Sequence, residues 1–506
     1  MSLTLVIGGT RSGKSAHAER LALALAAGAR VRYIATADAS DHSMHERIGA
    51  HVARRPASWE TVVAGDDLAG MLAAEGVCLI DGLGTWIAGV LHRGGDVRAQ
   101  IERLVSALPG AEMIVVAEEA GQGMLPLDAL SRAWLDLLGE SVQRLSAVAD
   151  RVDLVLAGRV ITVGSRAPAT PELRWHGDRV VRPGDVDHAV NVLAGSPPAW
   201  LRAELRQALD RSATRYPDEH EATVATARLH AREPDEIVPT NGAAEALWLL
   251  GPALRPQLAV CIHPGFTEAE AALRAHGVTV ARVQRDPEAG FVLDPTAVPE
   301  AADLVIVGNP ASPSGTLDPA GAVLALRRPG RTVVVDEAFI GMVPGEPCSL
   351  AAERLDDVVV IRSLTKLLSI PGLRAGYAIA PAAIAGRLRD VRPPWSANAL
   401  ALAALIAAAS HPGELAALAV RADAERSDLE QRLRTISGIR TWSSATNFCL
   451  VKVPDGPGVL AALREQRIAV RPAGSFPGLG PGHLRITARD PVANERLAAA
   501  IAAALA

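Results

Sequence analysis

Residues 362–377 read Arg362-Ser-Leu-Thr-Lys366-Leu-Leu-Ser-Ile-Pro-Gly-Leu-Arg374-Ala-Gly-Tyr377 and place one lysine between a hydroxyl and an arginine. Ser363 precedes Lys366, and Arg374 follows it. A hydroxyl and a guanidinium are both suited to hydrogen-bond a phosphate group. Taken alone, the same residues also suit a solvated surface loop, so the motif needs a partner elsewhere in the chain.

A second stretch, Thr332-Val-Val-Val-Asp336-Glu-Ala-Phe339, supplies that partner. An apolar run that ends in an acid is typical of a buried parallel strand whose carboxyl end reaches a functional edge. A lysine can bind an aldehyde covalently, and a pyridoxal phosphate site also requires a phosphate anchor and a carboxylate facing the ring nitrogen. Lys366 and Asp336 provide the first and last of these groups, so we expect a pyridoxal phosphate site.

Length and composition indicate a multidomain enzyme. The chain has 506 residues, which is too long for one ordinary core, and 49 % of them are hydrophobic. The formal net charge of -5 gives no reason to expect nucleic-acid or membrane binding. No apolar run is long enough to span a bilayer and no export signal opens the chain, so we expect a cytoplasmic protein.

The four cysteines are far apart in the sequence and show neither metal-ligand spacing nor a disulfide framework. They are Cys78, Cys261, Cys348 and Cys449. We expect them to be buried free thiols.

The chain begins with a strand, a glycine loop and a helix. The apolar run Leu3–Ile7 leads into Gly8-Gly-Thr-Arg-Ser-Gly13-Lys14-Ser15, which keeps the GxxxxGK[ST] spacing and precedes a helix-forming stretch. In such a loop the backbone wraps a phosphate chain, Lys14 neutralises the outer phosphates and Ser15 holds Mg²⁺. The loop residues assigned to the nucleotide are Gly8, Gly9, Thr10, Arg11, Ser12, Gly13, Lys14 and Ser15.

Further apolar runs, separated by helical stretches, predict a parallel sheet covered on both faces in the first third of the chain. These runs are Val31–Ala35, Val77–Asp81, Met113–Ala117 and Val152–Ala157. Asp81 ends one strand and could bind the metal as a Walker B acid does. A helix N-cap is an equally open alternative for this aspartate.

A histidine lies among arginines in Arg47-Ile48-Gly-Ala-His51-Val-Ala-Arg54-Arg55-Pro56-Ala-Ser-Trp59. Neutral imidazole can attack a nucleotide phosphate, and guanidinium groups stabilise the charge of the transferred phosphoryl group. Taken alone, a histidine in this context is more often a helix-surface residue.

Several segments of the first third occur in the order typical of one family. They are GGTRSGKS, IATAD, RIxxHxxRRPxxW, the acid-ended strand followed by Trp86, Glu118-Glu-Ala-Gly-Gln-Gly-Met-Leu-Pro126, QRLSAVAD and VDLVLAGR. Residues 1 to 165 thereby resemble adenosylcobinamide kinase/adenosylcobinamide-phosphate guanylyltransferase. The resemblance implies a P-loop NTPase-like domain that binds GTP or ATP and carries GMP on His51. It also places Thr36, Arg54, Arg55 and Asp81 at the nucleotide site.

The chain departs from the usual residues of that family at four positions. Val63 replaces a glutamate, Glu118 replaces an asparagine, and Gly82 and Gly84 replace a cysteine and a threonine. These changes leave the phosphate loop and the histidine in place and bear on nucleotide affinity and choice.

The stretch Gly164-Ser-Arg-Ala-Pro-Ala-Thr-Pro171 has the composition of a short linker. We therefore expect a P-loop domain over residues 1–165, a linker over 166–171 and a second domain over 172–506.

The second domain contains further strands that end in polar or glycine-rich loops. Pro239-Thr-Asn-Gly242-Ala-Ala places small residues at a helix start, where free amides suit a phosphate. Phe266 follows the strand Leu258–Ile262 and could lie against an aromatic cofactor, although a core phenylalanine is the alternative. Arg485 could bind a substrate carboxylate, although strand arginines are usually solvated. Such loops gather at the carboxyl ends of parallel strands, where open α/β sheets bind ligands.

The order of these segments resembles fold-type I pyridoxal phosphate enzymes of the histidinol-phosphate aminotransferase branch, and within it threonine-phosphate decarboxylase most. The segments are TNGAAEA, HPGF, NPASPSG, VVVDEAF, SLTKLLSIPGLRAGY, PPWSANALA, TNF and LRITAR. The resemblance implies an α/β protein with a large α/β domain and a small α+β domain, expected to form a homodimer or higher homo-oligomer.

The resemblance also implies a role for each matching residue. It assigns Lys366 to covalent cofactor attachment and Asp336 to the pyridinium nitrogen. Phosphate binding is assigned to Ser363, Arg374, Gly242, Ala243 and Ala244. It assigns Phe266 to stacking on the cofactor ring and Tyr216 to the cofactor phosphate of a neighbouring subunit. It assigns Arg485 to the substrate carboxylate, and Asn447 to a further substrate contact.

Two positions depart from the second family. Ser312 stands where an asparagine usually bonds the phenolic oxygen of the cofactor, and Phe339 stands where aminotransferases commonly have tyrosine. The serine is shorter, so the departure bears on the tuning of the cofactor.

Both resembled families act in assembling the lower nucleotide loop of cobalamin. We therefore expect a bifunctional enzyme that phosphorylates adenosylcobinamide, transfers GMP from GTP to adenosylcobinamide phosphate, and decarboxylates L-threonine phosphate to aminopropanol phosphate. Two alternatives stay open: a histidinol-phosphate-type aminotransferase in the second domain, and a nucleotide-binding first domain without catalysis.

Overall fold

The computed structural model describes most of the chain, which divides into two compact units. The units comprise residues 1–169 and most of 170–506. The described residues are 3–26, 30–36, 56, 58–72, 76–107, 112–120, 126–165, 173–212 and 214–505. The predicted linker at 166–171 lies outside them.

Among its described residues, the first unit is built on a seven-stranded sheet with the order β3-β2-β4-β5-β1-β6-β7. Its strands are β1 (Leu3–Gly8), β2 (Val31–Ala35), β3 (Glu60–Val63), β4 (Val77–Asp81), β5 (Glu112–Glu118), β6 (Arg151–Leu156) and β7 (Arg159–Ser165). Its helices are α1 (Lys14–Ala26), α2 (Leu83–His92), α3 (Val97–Ala107) and α4 (Ala129–Val148). Among the described strands of this sheet, only the β6–β7 pairing is antiparallel.

The five strands expected from apolar runs are present and mutually parallel, so the predicted α/β sheet is confirmed. Their central residues, such as Leu5, Ile80 and Val115, have no exposed surface, as expected for strands covered on both faces. Two edge strands were not predicted. β3 is short and largely exposed, and β7 returns through a tight turn in which Ala157 and Gly158 have positive φ.

The large sheet of the second unit has the order β11-β10-β12-β13-β14-β15-β9. Its strands are β9 (Ile237–Asn241), β10 (Leu258–His263), β11 (Thr279–Gln284), β12 (Leu304–Gly308), β13 (Thr332–Asp336), β14 (Val358–Ser363) and β15 (Ala375–Ile379). β15 runs antiparallel to both of its neighbours, whereas the pairings from β11 to β14 are parallel.

A smaller five-stranded sheet has the order β16-β17-β19-β18-β8. Its strands are β8 (Val186–His188), β16 (Arg440–Thr441), β17 (Phe448–Lys452), β18 (Ile468–Pro472) and β19 (His483–Thr487). The helices of the second unit are α5 (Ala199–Ser212), α6 (His220–Leu229), α7 (Ala243–Leu254), α8 (Glu268–Ala275), α9 (Ala320–Leu324), α10 (Ala382–Val391), α11 (Ala399–Ser410), α12 (Pro412–Arg434), α13 (Gly456–Glu465) and α14 (Pro491–Leu505). This division into a large and a small sheet agrees with the expected large α/β and small α+β parts.

Strand direction places the two motifs that opened the sequence analysis at one sheet edge. β13 and β14 are adjacent and parallel, with Asp336 opposite Ile361. Asp336 therefore ends its strand beside Ser363, the last residue of β14, and Lys366 follows in the next loop. The common edge is where an open α/β sheet positions its ligand.

Within the part of the chain that the structure describes, no single helix has the length and apolar composition to cross a membrane. Helices α11 and α12 pass that test only when taken together, and they meet at 92°. All four cysteines are free, and three are buried as expected, but Cys348 is only half-buried.

Candidate functional site

The glycine loop of the first unit joins β1 directly to α1. Gly13 has φ of 95° and Arg11 has φ of 56°, so the loop turns through left-handed backbone conformations. A Cβ on Gly8 would lie 2.5 Å from Oγ of Ser12, so only glycine allows this approach. The ammonium of Lys14 donates to the carbonyl of Gly9 at 3.4 Å.

This geometry suits phosphate binding. Ser12 is buried, and its Oγ has no hydrogen-bond partner within the described part of the chain, so it suits an oxygen of a ligand. Gly9 and Thr10 occupy the turn between β1 and α1. The helix that starts at Lys14 presents its N-terminal end to the loop, which favours an anion there.

Asp81 lies opposite the start of α1. Its Oδ1 accepts a hydrogen bond from Oγ of Ser15 at 2.9 Å, and its Oδ2 accepts one from the hydroxyl of Tyr33 at 2.5 Å. The residue at the N-cap of α2 is Gly82, so the carboxylate of Asp81 is directed at Ser15 instead of capping the helix. The hydroxyl of Thr36 lies 2.7 Å from the carbonyl oxygens of Asp81 and Gly82.

Ser15 and Asp81 are suitable ligands for Mg²⁺, which commonly takes one or two protein oxygens and completes its shell with substrate phosphates and water. Within the described ranges, no three or more histidine, cysteine or acidic residues form a group that could hold a metal. A magnesium ion here would therefore depend on oxygens of a bound nucleotide. His51, Arg54 and Arg55 lie outside the described residues.

Two of the departures from the first family are in direct contact. The amide of Gly84 donates to Oε2 of Glu118 at 2.7 Å, and Trp134 Nε1 donates to the carbonyl of Gly84 at 2.8 Å. A Cβ on Gly84 would lie 2.4 Å from Oε2 of Glu118. The glycine at 84 and the glutamate at 118 therefore accommodate each other. Val63 is 66 % exposed at the end of β3.

In the second unit, a cavity of about 460 Å³ lies at the carboxyl edge of the large sheet. It is lined by most of the residues that the second resemblance assigned. Those residues are Ala243, Ala244, Phe266, Ser312, Asp336, Ser363, Lys366, Arg374 and Arg485.

Lys366 and Asp336 both line the cavity. Burial lowers the pKa of Lys366 to about 8, and the positive charges of Arg485 and Arg374 add to the effect. Burial raises the pKa of Asp336 to about 6. A cationic ring nitrogen facing this carboxylate would favour its ionised form. The pair thus fits a pyridinium ring attached at the lysine.

We use the name phosphate cradle for Gly242–Ala244, Ser363 and Arg374. Gly242 precedes α7, and Ala243 and Ala244 bring the free amides of its first turn to the cavity wall. A Cβ on Gly242 would lie 2.5 Å from Nη2 of Arg374, so glycine lets the guanidinium approach the helix start. The hydroxyls of Ser363 and Thr365 are 2.7 Å apart. These donors fit the phosphate of the expected cofactor.

Two arginines occupy the wall contributed by the small sheet. Arg485 lies on β19, where its Nη2 donates to the carbonyl of Ala189 at 2.9 Å and its Nη1 to Oγ of Ser312 at 3.3 Å. Arg471, on β18, also lines the cavity and was not identified from the sequence. Its guanidinium lies over the rings of Trp175 and Phe476 and donates a hydrogen bond to Ser475. These contacts hold Arg471 in place.

Both guanidinium groups retain unused donors. Among the residues that the structure describes, Nε of Arg485 and Nη1 of Arg471 are buried without a hydrogen-bond partner. Burial lowers the pKa of Arg485 to about 10, and burial together with the charge of Arg485 lowers the pKa of Arg471 to about 9. Two buried cations with free donors favour a ligand with more than one anionic group.

The remaining predicted residues differ in their relation to the cavity. Phe266 lines it and lies 5.9 Å from the ring of His176, a further lining residue that the sequence analysis did not assign. Tyr216 is 76 % exposed and does not line it. Asn447 is buried behind the wall, where its Nδ2 donates at 3.4 Å to the carbonyl of Asn191, a lining residue.

His176 is held at the wall by an acid. Its Nε2 is 2.6 Å from Oε1 of Glu268, whose Oε2 accepts a hydrogen bond from Nε1 of Trp248 at 3.0 Å. These contacts lower the pKa of Glu268 against the opposing effect of burial.

A mixed sheet with an aspartate and a lysine at its carboxyl edge, together with a phosphate cradle, defines the class of fold-type I pyridoxal phosphate enzymes. The chain belongs to the aminotransferase class I and II family, whose model matches residues 184–501. Residues 4–163 match the cobinamide kinase/cobinamide phosphate guanyltransferase family, so the chain joins two enzyme domains. Pyridoxal phosphate and nucleotide use are implied by these two families.

Comparison with curated proteins gives relatives of both expected kinds. A histidinol-phosphate aminotransferase of Mycobacterium tuberculosis is 44 % identical over 322 residues, covering 62 % of this chain and 87 % of that protein. The threonine-phosphate decarboxylase of Salmonella typhimurium is 29 % identical over 329 residues, covering 62 % of this chain and 90 % of that protein.

Solved structures support the fold of the second unit. A histidinol-phosphate aminotransferase from Clostridium acetobutylicum aligns with a TM-score of 0.59 and 24 % identity, covering 63 % of this chain and 98 % of its own. The L-threonine-O-3-phosphate decarboxylase from Porphyromonas gingivalis aligns with a TM-score of 0.57 and 24 % identity, covering 62 % of this chain and 97 % of its own. At this identity the likeness concerns the fold alone.

Proposed function

We propose that the chain is a bifunctional enzyme of cobalamin biosynthesis. Its second domain decarboxylates L-threonine phosphate to aminopropanol phosphate, and its first domain phosphorylates adenosylcobinamide and transfers GMP to the product. The observation that carries the proposal for the second domain is the buried pair of Arg471 and Arg485, which lines the same cavity as Lys366 and Asp336.

L-threonine phosphate carries a carboxylate and a phosphate, and the arginine pair offers one guanidinium to each. Arg485 is tethered to the backbone at Ala189 and has a free Nε, which suits a fixed carboxylate. Arg471 lines the same cavity and has an Nη1 without a partner among the described residues, which suits the substrate phosphate. A substrate with two anionic groups would engage both buried guanidinium groups, of which Arg471 also has the carboxylate of Asp178 near it in the same cavity.

Pyridoxal phosphate bound at Lys366 would supply an electron sink for the bond that breaks at the substrate Cα. The protein's own residues set the conditions for that step. Asp336 holds a proton at the ring nitrogen, and the phosphate cradle fixes the position of the ring. Because its pKa is lowered to about 8, Lys366 can exchange a proton near neutral pH and can return one to Cα after carbon dioxide leaves.

With pyridoxal phosphate bound, Arg485 would orient the substrate carboxylate and would thereby favour one bond at Cα over another. Loss of the carboxylate would give decarboxylation, and loss of the Cα proton would open the way to transamination. The second candidate function is therefore transamination of the histidinol-phosphate type. It is favoured by the 44 % identity to the mycobacterial relative.

Substrate binding separates these two functions. We expect L-threonine phosphate to perturb the absorbance of the cofactor-loaded chain at lower concentration than histidinol phosphate does. Arg471→Met should weaken L-threonine phosphate about tenfold or more, because a charged hydrogen bond is lost. Tighter binding of histidinol phosphate, with transfer of its amino group to an oxo acid, would favour the aminotransferase.

For the first domain, we propose that Lys14, Ser15 and Asp81 bind a magnesium nucleotide and that His51 carries GMP. The direct contact of Ser15 with Asp81 at 2.9 Å supports the metal part of this proposal. The alternative is a nucleotide-binding domain without catalysis, for which the replacements Val63 and Glu118 are the signs.

Incubation with α-labelled GTP tests the histidine. We expect an acid-labile GMP adduct that His51→Ala abolishes and that His92→Ala, at an exposed histidine of α2, retains. Nucleotide binding without any adduct would favour the non-catalytic alternative.

We further propose that the second domain works as a homodimer in which Tyr216 reaches the cofactor phosphate of the neighbouring subunit. The 76 % exposure of Tyr216 leaves its hydroxyl available to a second copy of the chain. Sedimentation of the full chain should give a dimer, and Tyr216→Phe should weaken pyridoxal phosphate binding; a monomer with full cofactor affinity would contradict the proposal.

A further inference from the structure

The segment Trp395–Asn398, between α10 and α11, contacts two residues that directly adjoin the phosphate cradle, Glu245 and Leu373. The hydroxyl of Ser396 donates to Oε2 of Glu245 at 3.1 Å. Nδ2 of Asn398 donates to the carbonyl of Leu373 at 2.9 Å. Neither residue lines the cavity, so each acts through its partner.

The Ser396 contact is made next to Gly242–Ala244, the part of the phosphate cradle at the start of α7. Glu245 lies in the first turn of α7, next to the amides of Ala243 and Ala244 that face the cavity. The same Oε2 of Glu245 also accepts the amide of Asn241 at 2.6 Å. Glu245 therefore fixes the start of the helix, and Ser396 fixes Glu245.

The Asn398 contact is made next to Arg374, the arginine of the phosphate cradle. Leu373 directly precedes Arg374, whose φ is 59°, an uncommon conformation for a residue other than glycine. A strained residue keeps its conformation only when its surroundings hold it there. Asn398 supplies such a constraint, while its Oδ1 accepts the amide of Ala401 and caps α11.

The segment makes further contacts of its own. Trp395 has φ of 58°, and its ring stacks on that of Tyr216 with a centroid distance of 4.4 Å. Ala397, between the two polar residues, is buried. Two contacts that lie two residues apart therefore link the first turn of α7 to the residue before Arg374.

We propose that Ser396 and Asn398 are positioning residues that hold the two sides of the phosphate cradle at the spacing of one phosphate group. The proposal rests on the assignment of pyridoxal phosphate to this cavity. It predicts that the two residues contribute to binding of the cofactor's phosphate and not to binding of its ring.

The test compares pyridoxal phosphate with pyridoxal, which lacks the phosphate, by titrating the apo form of the full chain and following absorbance. Ser396→Ala removes one contact, and Asn398→Ser removes the other while keeping a neutral N-cap acceptor. We expect each variant to raise the Kd of pyridoxal phosphate by about three- to tenfold and to leave that of pyridoxal unchanged.

Two control variants accompany the test. Ser396→Thr keeps the hydroxyl and should bind like the wild type. Ser410→Ala removes a similar hydroxyl contact, to the carbonyl of Ile406 at the far end of α11, and should have no effect.

Equal weakening of both ligands would overturn the proposal, since it would indicate general destabilisation. Unchanged affinity for pyridoxal phosphate in both variants would overturn it while leaving the cofactor assignment intact. The wild type with pyridoxal phosphate should form an absorbance band that is absent in Lys366→Ala. If no such band forms, the cofactor assignment and the proposal fail together.

Discussion

Nη1 of Arg485 donates a hydrogen bond to Oγ of Ser312 at 3.3 Å. Ser312 therefore contacts the arginine proposed to bind the substrate carboxylate. The resemblance to the second family implies an asparagine that bonds the cofactor ring at this position, whereas in this chain the hydroxyl of Ser312 is bonded to Arg485.

This contact predicts the effect of Ser312→Ala. We expect KM for L-threonine phosphate to rise about two- to fivefold, because one hydrogen bond that orients Arg485 is lost. Cofactor affinity should stay the same. Steady-state kinetics and a cofactor titration check both parts, with Ser314→Ala in the same loop as control. Weakened cofactor binding with unchanged KM would show that Ser312 contacts the cofactor ring and does not orient Arg485.

The pKa of Lys366 predicts how cofactor uptake depends on pH. Only a neutral amine attacks an aldehyde, so uptake by the apo chain should rise with pH and level off above an inflection near 8. Stopped-flow absorbance at fixed pyridoxal phosphate measures this rate. Arg485→Met should move the inflection upward, because a cation that lowers the pKa is removed. An uptake rate that still rises steeply above about pH 10 would mean that the pKa of Lys366 is not lowered.

The contact between Gly84 and Glu118 predicts a coupled pair. Gly84→Ala places a Cβ 2.4 Å from Oε2 of Glu118, and we expect a loss of about 1–3 kcal/mol in the free energy of unfolding of the first unit. Denaturant melts of the full chain measure it. Adding Glu118→Ala should recover about 1 kcal/mol, whereas strictly additive losses would contradict the coupling. Gly89→Ala, which meets only the flexible side chain of Arg93, is the matched control.

The Ser15–Asp81 contact predicts a metal-dependent effect. Asp81→Asn should weaken GTP binding about tenfold or more in the presence of Mg²⁺, because a charged ligand is lost. Removing the metal with EDTA should bring the wild type and the variant to the same lower affinity. Tyr33→Phe should have a smaller effect, since it removes only a hydrogen bond to Oδ2 of Asp81. A persisting difference between wild type and Asp81→Asn in EDTA would argue against a metal role.

The sequence allowed most of the sheet core to be predicted because buried parallel strands are continuous apolar runs. Asp336 and Lys366 could be placed together for the same reason, since each follows such a run. The direction of β15 could not be read, because an apolar strand looks the same whether it runs parallel or antiparallel.

Arg471 and His176 were missed because their roles depend on distant contacts. Arg471 reaches the cavity from the small sheet, and its Nη2 donates at 2.6 Å to the carbonyl of Trp175, which is 296 residues away in the chain. No local pattern marks such a pair. A useful signal would have been an arginine within an otherwise apolar strand, since a buried arginine requires an anionic or carbonyl partner. The same limit applies to Tyr33, which contacts Asp81 from the neighbouring strand.

The release of labelled carbon dioxide from carboxyl-labelled L-threonine phosphate tests the central claim most directly. With the purified, cofactor-loaded full chain and no added oxo acid, we predict carbon dioxide and aminopropanol phosphate in equal amounts, and neither product with Lys366→Ala. Retention of the label, with a keto product that forms only when an oxo acid is added, would contradict the account and identify an aminotransferase.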